Sequence, residues 1–255
     1  MKKQLTPTEL WHISAEALHT EEYRRVYSSA IDFIIKDKDL SILDTACGSG
    51  FPTADLINLG YKNIEASDAD ETSVSELKEN FNKIGINIPI HAGKWQELAS
   101  KISKKFDIVI NSDNSFVYMD GWMGEELIGN KEKAFEKMQV VLKNFYDALK
   151  PGGMAIIGLG KHYLPNNDSI FQRTFNLKKD GDDFVIVWSS VLNWETRIHN
   201  WTTTVTSSTS EGTCHKNSYL LTKDELAEQA RKTGFKTVHV LEPDGARDNL
   251  IVAIK

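Results

Sequence analysis

The chain has little cysteine: Cys47 and Cys214 are the only two in 255 residues, and no Cys-x-x-Cys pair occurs. That count indicates neither a disulfide framework nor a structural zinc, and no metal is expected. Long apolar runs are missing as well. None approaches the roughly 20 residues that span a bilayer. The start, Met-Lys-Lys-Gln-Leu-Thr-Pro, lacks the apolar region of a secretory signal. A soluble, cytoplasmic protein with no membrane partner is therefore expected. Positive charge is in deficit, with 30 Lys and Arg against 36 Asp and Glu and a net charge of -6. Such a surface has no general attraction for nucleic acid, so none is expected as a partner.

What is present is alternation. Apolar residues at helical spacing over about residues 8 to 36 predict a pair of lead-in helices. Short apolar runs then alternate with helical patterns: strands at 41–45, 63–67, 88–92, 106–111 and 154–159, with helices at 52–59, 71–84 and 131–149. This order implies an α/β fold, a mainly parallel sheet with helices on both faces. Past residue 160 the pattern changes. Phe184 to Trp188 and Trp194 to Ser208 are β-prone and rich in Trp and Thr, which suggests an antiparallel insertion. A helix at 222–233 and strands near 237–242 and 249–254 close the chain. The expected organisation is one domain: a helical lead-in (1–38), a core (39–160), a β insertion (161–220) and the end of the core sheet (221–255).

The densest information lies in Ser41-Ile-Leu-Asp44-Thr-Ala-Cys47-Gly48-Ser49-Gly50, followed one strand later by Asp68. A strand that ends in an acid, then two glycines around one small residue, describes a tight turn under a helix start, where a ligand reaches bare backbone. A dinucleotide site would read G-x-G-x-x-G, and here Thr53 takes the third glycine's place. Asp44 would repel a pyrophosphate and suit a cationic ligand, which points to S-adenosyl-L-methionine. Ser67-Asp68-Ala69-Asp70 offers two acids, one for ribose hydroxyls and one to cap the next helix.

These residues resemble the first motif of class I S-adenosylmethionine-dependent methyltransferases, and glycine N-methyltransferase and its small-molecule relatives in particular. Thr20 to Tyr23, Ala92 to Trp95, Phe106 to Phe116 and Leu149 to Gly153 extend the resemblance over roughly residues 10 to 160. It implies a Rossmann-like sheet with a closing antiparallel strand and a small antiparallel insertion after strand five. It also implies a cofactor site of Trp11, Tyr23, Asp44, Ala46, Gly48, Gly50, Asp68, Ala69, Lys94, Trp95 and Asn111. Asn114, with Asp113, takes the catalytic position, its amide oxygen accepting an N-H of the substrate amine. Lys161 falls near the family's carboxylate-binding Arg, while His162, Trp201 and Tyr219 complete the substrate side. Lys in place of Arg loses the planar fork and puts glycine itself in doubt.

The implied reaction is N-methylation of a small amine. O-methylation with His162 as base remains an alternative, as does a partner subunit or a protein methyltransferase. A homo-oligomer is left open, since relatives include dimers and tetramers. Local readings also stay open: Asp44 as a cap of its turn, Trp95, Trp201 and Tyr219 as core, and His162 and His215 as structural.

Overall fold

A computed structural model describes residues 2–119, 131–161 and 169–255. After a short β1 (Lys3–Gln4), the lead-in forms α1 (Pro7–Leu18) and α2 (Glu21–Ile35). Each has a threonine cap. Thr6 and Glu9 close a capping box on α1, and the Thr20 hydroxyl accepts the Tyr23 amide at 3.2 Å on α2. Thr20 to Tyr23 is thus a helix start.

The core follows the expected alternation: β2 (Ile42–Asp44), α3 (Thr53–Asn58), β3 (Ile64–Asp68), α4 (Glu71–Lys83), β4 (Ile90–Ala92), α5 (Leu98–Lys101), β5 (Phe106–Asn111), α6 (Lys131–Ala148) and β6 (Leu149–Gly160). An insertion of four strands comes next, β7 (Ser169–Lys179), β8 (Asp182–Asn193), β9 (Ile198–Thr206) and β10 (Ser210–Tyr219). The chain then returns through α7 (Lys223–Thr233), β11 (Thr237–Leu241) and β12 (Asp248–Ile254).

The main sheet runs β11-β12-β6-β5-β2-β3-β4. The four strand pairs from β6 to β4 are parallel, whereas β12 lies antiparallel to both β6 and β11. This is the Rossmann-like α/β sheet with an antiparallel closing strand. The period of two assigns its faces. On β6, Ala155, Ile157 and Leu159 pack with α6 and α7, while Ile156 packs with α2 and α3 on the other side. From β2 the chain winds outward to β4, then crosses back to β5 beside β2. The crevice at the carboxyl ends of β2 and β5 is therefore the switch point of the sheet.

The insertion is larger than expected. Its sheet runs β1-β10-β9-β8-β7, antiparallel except for β1 beside β10. Asp180 and Gly181, with φ of 51° and 83°, form the two-residue turn between β7 and β8. Both centres at positive φ match the right-handed twist of a hairpin.

Candidate active site

β2 ends in a buried acid. The Asp44 carboxylate accepts the Thr53 hydroxyl at 2.6 Å and the Ala46 amide at 3.1 Å, and burial pushes it up to about 7 against those two bonds. Beyond it the turn opens onto a cavity. Gly48, at φ 44°, has nothing within 4 Å of where a Cβ would stand. Gly50 is different: at φ 111° its Cβ would meet Leu77 Cδ1 at 2.9 Å. One glycine faces ligand space and the other makes room for α4.

The Asp68 carboxylate ties this turn to β3. It accepts the Gly48 amide and the Asp70 amide, both at 2.9 Å, and lines the cavity. Burial raises its pKa, opposed by those two amides. Asp70 instead caps α4, accepting the Thr72 amide at 3.1 Å and the hydroxyls of Thr8 and Ser73.

The cavity measures about 840 Å³ and runs from the glycine turn to the inserted sheet. Trp11, Ala15, Leu18 and His19 cover it from α1. On the far side Trp188 stacks on Trp201 with centroids 4.4 Å apart, and Trp11 meets Trp188 edge-on at 6.3 Å. Trp95 forms the floor, its indole N-H donating to the Thr45 carbonyl and its ring lying parallel to Phe116 at 6.4 Å.

At the end of β5, Asp113 and Asn114 both adopt positive φ, 51° and 56°. Two successive non-glycine residues in this region are uncommon, and Asp and Asn are the types that tolerate it. The Asp113 carboxylate pairs with His19 Nε2 at 2.7 Å, accepts the Tyr23 hydroxyl at 3.3 Å and lies 3.6 Å from Arg247. Burial would raise it, but His19 and then Arg247 and the Tyr23 hydroxyl hold it well below the usual range. The Arg247 guanidinium sits over the Tyr23 ring at 3.7 Å. Asn114 Oδ1 accepts the Gly160 amide at 2.9 Å, which ties the end of β5 to β6. The Lys161 ammonium donates to the Pro243 carbonyl at 2.6 Å.

Of the residues expected from sequence, Trp11, Ala46, Gly48, Asp68, Ala69, Lys94, Trp95, Asp113, Asn114 and Lys161 line this cavity. Six do not. Asp44 is fully buried behind the turn and shapes it. Gly50 packs on α4. Tyr23 is buried behind Asp113, which it positions. The Asn111 amide donates inward to the Thr45 hydroxyl at 3.1 Å. Trp201, 2% exposed, lies under Trp188 and donates to the Tyr118 hydroxyl at 2.7 Å. Tyr219 is buried in the core cluster beside α7. His162 lies outside the described residues.

His19, Trp188, Arg173, His199, Arg247 and Asp248 line the cavity without having been anticipated. For Trp188 the signal was present, in a β-prone run rich in Trp. No local signal marks His19, which meets Asp113 from the turn between α1 and α2. Among the described residues no cluster of three His, Cys, Asp or Glu could hold a metal, and no helix is long and apolar enough to cross a membrane.

A family model described as a methyltransferase domain matches residues 36–234. Ribosomal protein L11 methyltransferase of Thermotoga petrophila is 32% identical over 72 residues, 28% of this chain and 26% of that protein. The chain thus spans about a quarter of that relative's length. Glycine N-methyltransferase of Mus musculus is 25% identical over 171 residues, 62% of this chain and 53% of that protein.

Among solved structures, Streptomyces venezuelae DesVI superposes with a TM-score of 0.76 at 15% identity, covering 98% of each chain. CalS10 of Micromonospora echinaspora, an amino pentose methyltransferase bound to S-adenosylmethionine, gives 0.72 at 13% identity over 96% of each. The expected special likeness to the glycine enzyme is corrected by this spread, because similarity of fold over the whole chain extends to an amino pentose methyltransferase. The family match runs from the lead into β2, through the glycine turn and the inserted sheet, to the end of α7, and on it the chain belongs to the methyltransferase domain family.

Proposed function

We propose that this chain transfers the methyl group of S-adenosylmethionine to an amine nitrogen of a small molecule. The observation that carries the reading is that one cavity joins the glycine turn and Asp68 to the aromatic wall of the inserted sheet. Its volume of about 840 Å³ lies in the range of small-molecule sites rather than of a groove for a macromolecule.

The residues present fit the cofactor. Asp68 keeps lone pairs for ribose hydroxyls beyond those given to Gly48 and Asp70, and Gly48 leaves its turn open to close approach. When bound, the cofactor supplies an activated methyl on a sulfonium. The chain's own contribution is then positioning. Trp95 packs against the flat end of the ligand, while Trp11 and Trp188 exclude water and offer ring faces to positive charge. Asn114, held by the Gly160 amide, stands at the cavity on the acceptor's side. Orientation of this kind is worth on the order of 7 to 11 kcal/mol.

The Lys161 position lends glycine little support as acceptor: a carboxylate there would meet a point charge already held by the Pro243 carbonyl rather than a planar fork. The sequence similarity to the mouse glycine enzyme therefore supports the cofactor half of the reading more than the acceptor half. Incubation with methyl-labelled S-adenosylmethionine and a metabolite extract tests the proposal. A small product labelled on nitrogen is expected, and label found only on oxygen or in protein would contradict it.

A further inference from the structure

One imidazole at the cavity is held at one ring nitrogen and open at the other. His19 caps the carboxyl end of α1 and lines the cavity together with Asp113. Its ring packs on Phe51 of the glycine turn, with centroids 4.5 Å apart, and on Tyr23 of α2 at 5.8 Å. The ring therefore stands where the turn after β2 meets the end of β5, at the switch point of the sheet. Nε2 lies 2.7 Å from Asp113 Oδ2. Nδ1 has no hydrogen-bond partner among the described residues, yet it is not one of the enclosed polar atoms left without one. It thus keeps accessible surface, which for this residue is the cavity it lines.

Asp113 decides which nitrogen is free to act. Burial opposes its ionisation, but His19, Arg247 and the Tyr23 hydroxyl outweigh that and keep it a carboxylate, which can only accept. In the neutral ring the hydrogen then sits on Nε2 and the lone pair on Nδ1. A buried aspartate orients a histidine base in this way and stabilises the imidazolium it becomes. We propose that His19 Nδ1 is the base that takes the proton the acceptor ammonium must lose before its nitrogen can be methylated. This deepens the reading of the cavity as an amine methyltransferase site and rests on it. The charged and titratable groups that face the ring are Asp113 after β5 and Tyr23 on α2, with Arg247 and Asp248 behind them. Burial raises the Tyr23 phenol far above its ordinary range, so it stays a donor to Asp113.

In the step itself an N-H bond of the ammonium breaks and an N-H bond forms at Nδ1, which leaves a lone pair on the acceptor nitrogen. That lone pair forms the new C-N bond, and the electrons of the broken C-S bond stay on sulfur. The imidazolium, paired with Asp113, returns its proton to water after the methylated product departs.

The test follows labelled small product against pH, with methyl-labelled S-adenosylmethionine and a metabolite extract. The wild-type rate should level off once the imidazole is neutral. His19→Gln should be slower by about a hundredfold or more near pH 7. Its rate should keep rising with pH towards that of the wild type, as solvent removes the proton instead. S-adenosylhomocysteine affinity, read by titration calorimetry, should stay within about twofold in the variant. A rate loss under about tenfold, a variant profile parallel to that of the wild type, or a loss of S-adenosylhomocysteine affinity that matches the loss of rate would overturn the proposal alone. So would a wild-type rate that still rises about tenfold per pH unit above about pH 8. Absence of any nitrogen-labelled small product from the wild type would overturn the function proposed above, and this proposal with it.

Discussion

Asp44 and Asp68 end adjacent strands, and their surroundings give them different tasks. Asp68 stays at the cavity, while Asp44 is enclosed and held by Thr53 and Ala46. Its carboxyl rises to about 7 when folded, from about 3.9 when unfolded. Between those values the folded chain holds a proton that the unfolded chain lacks, so this contribution to stability is full below about pH 4 and lost as pH rises to about 7. Asp44→Asn does not titrate. Urea denaturation should show the wild type losing stability relative to that variant by up to about 1.4 kcal/mol per pH unit across the window. A difference that does not vary with pH would contradict the burial argument. Thr53→Val should cost about 1 to 3 kcal/mol by removing the donor to a buried carboxyl, measured by the same denaturation. The residue types of this turn were legible in sequence, but the direction each side chain takes was not. Asp44 looked like a ligand acid because the turn's outer face was known and its inner face, closed by Thr53, was not.

At the scale of elements, α7 shows how the insertion is tied to the core. Glu225 in its first turn pairs with Arg197 through two bonds of 2.9 and 3.0 Å and with Lys131 of α6 at 3.0 Å. The Arg197 and Glu225 side chains are mostly buried, at 17% and 14% exposure. Arg197→Met should therefore cost roughly 2 to 4 kcal/mol, somewhat below a fully buried pair. Chemical denaturation reads this, and a loss under about 0.5 kcal/mol would show the pair to be a surface contact. The core strands were legible because both faces are covered and each reads as an apolar run. β7 and β10 were not. β10, Ser-Glu-Gly-Thr-Cys-His-Lys-Asn-Ser-Tyr, is held by pairing along β9 rather than by its own apolar residues. β7 has few apolar residues, with Phe175 and Leu177 packed toward α1 and Phe171 against the main core.

On the scale of the whole molecule, the order of the main sheet puts the glycine turn, Asp68, Asp113 and Asp248 at one end of neighbouring strands, with α1 and the inserted sheet covering them. The part of the cavity around the glycine turn was legible in sequence because it follows strand ends in order. The opposite wall was not, since His19, Trp188 and Asp248 come from three separate parts of the chain and line one cavity only in the fold. A ligand bound at this junction contacts the lead-in, the core and the insertion together, so S-adenosylhomocysteine should raise the melting temperature as its concentration rises above its Kd. Isothermal titration of S-adenosylhomocysteine into the wild type and Asp68→Ala tests the cofactor site most directly. Saturable binding at one site per chain is predicted for the wild type, with affinity reduced by about tenfold to a hundredfold in the variant, as expected for lost hydrogen bonds to a charged group. No binding to the wild type, or an affinity unchanged in Asp68→Ala, would contradict the account.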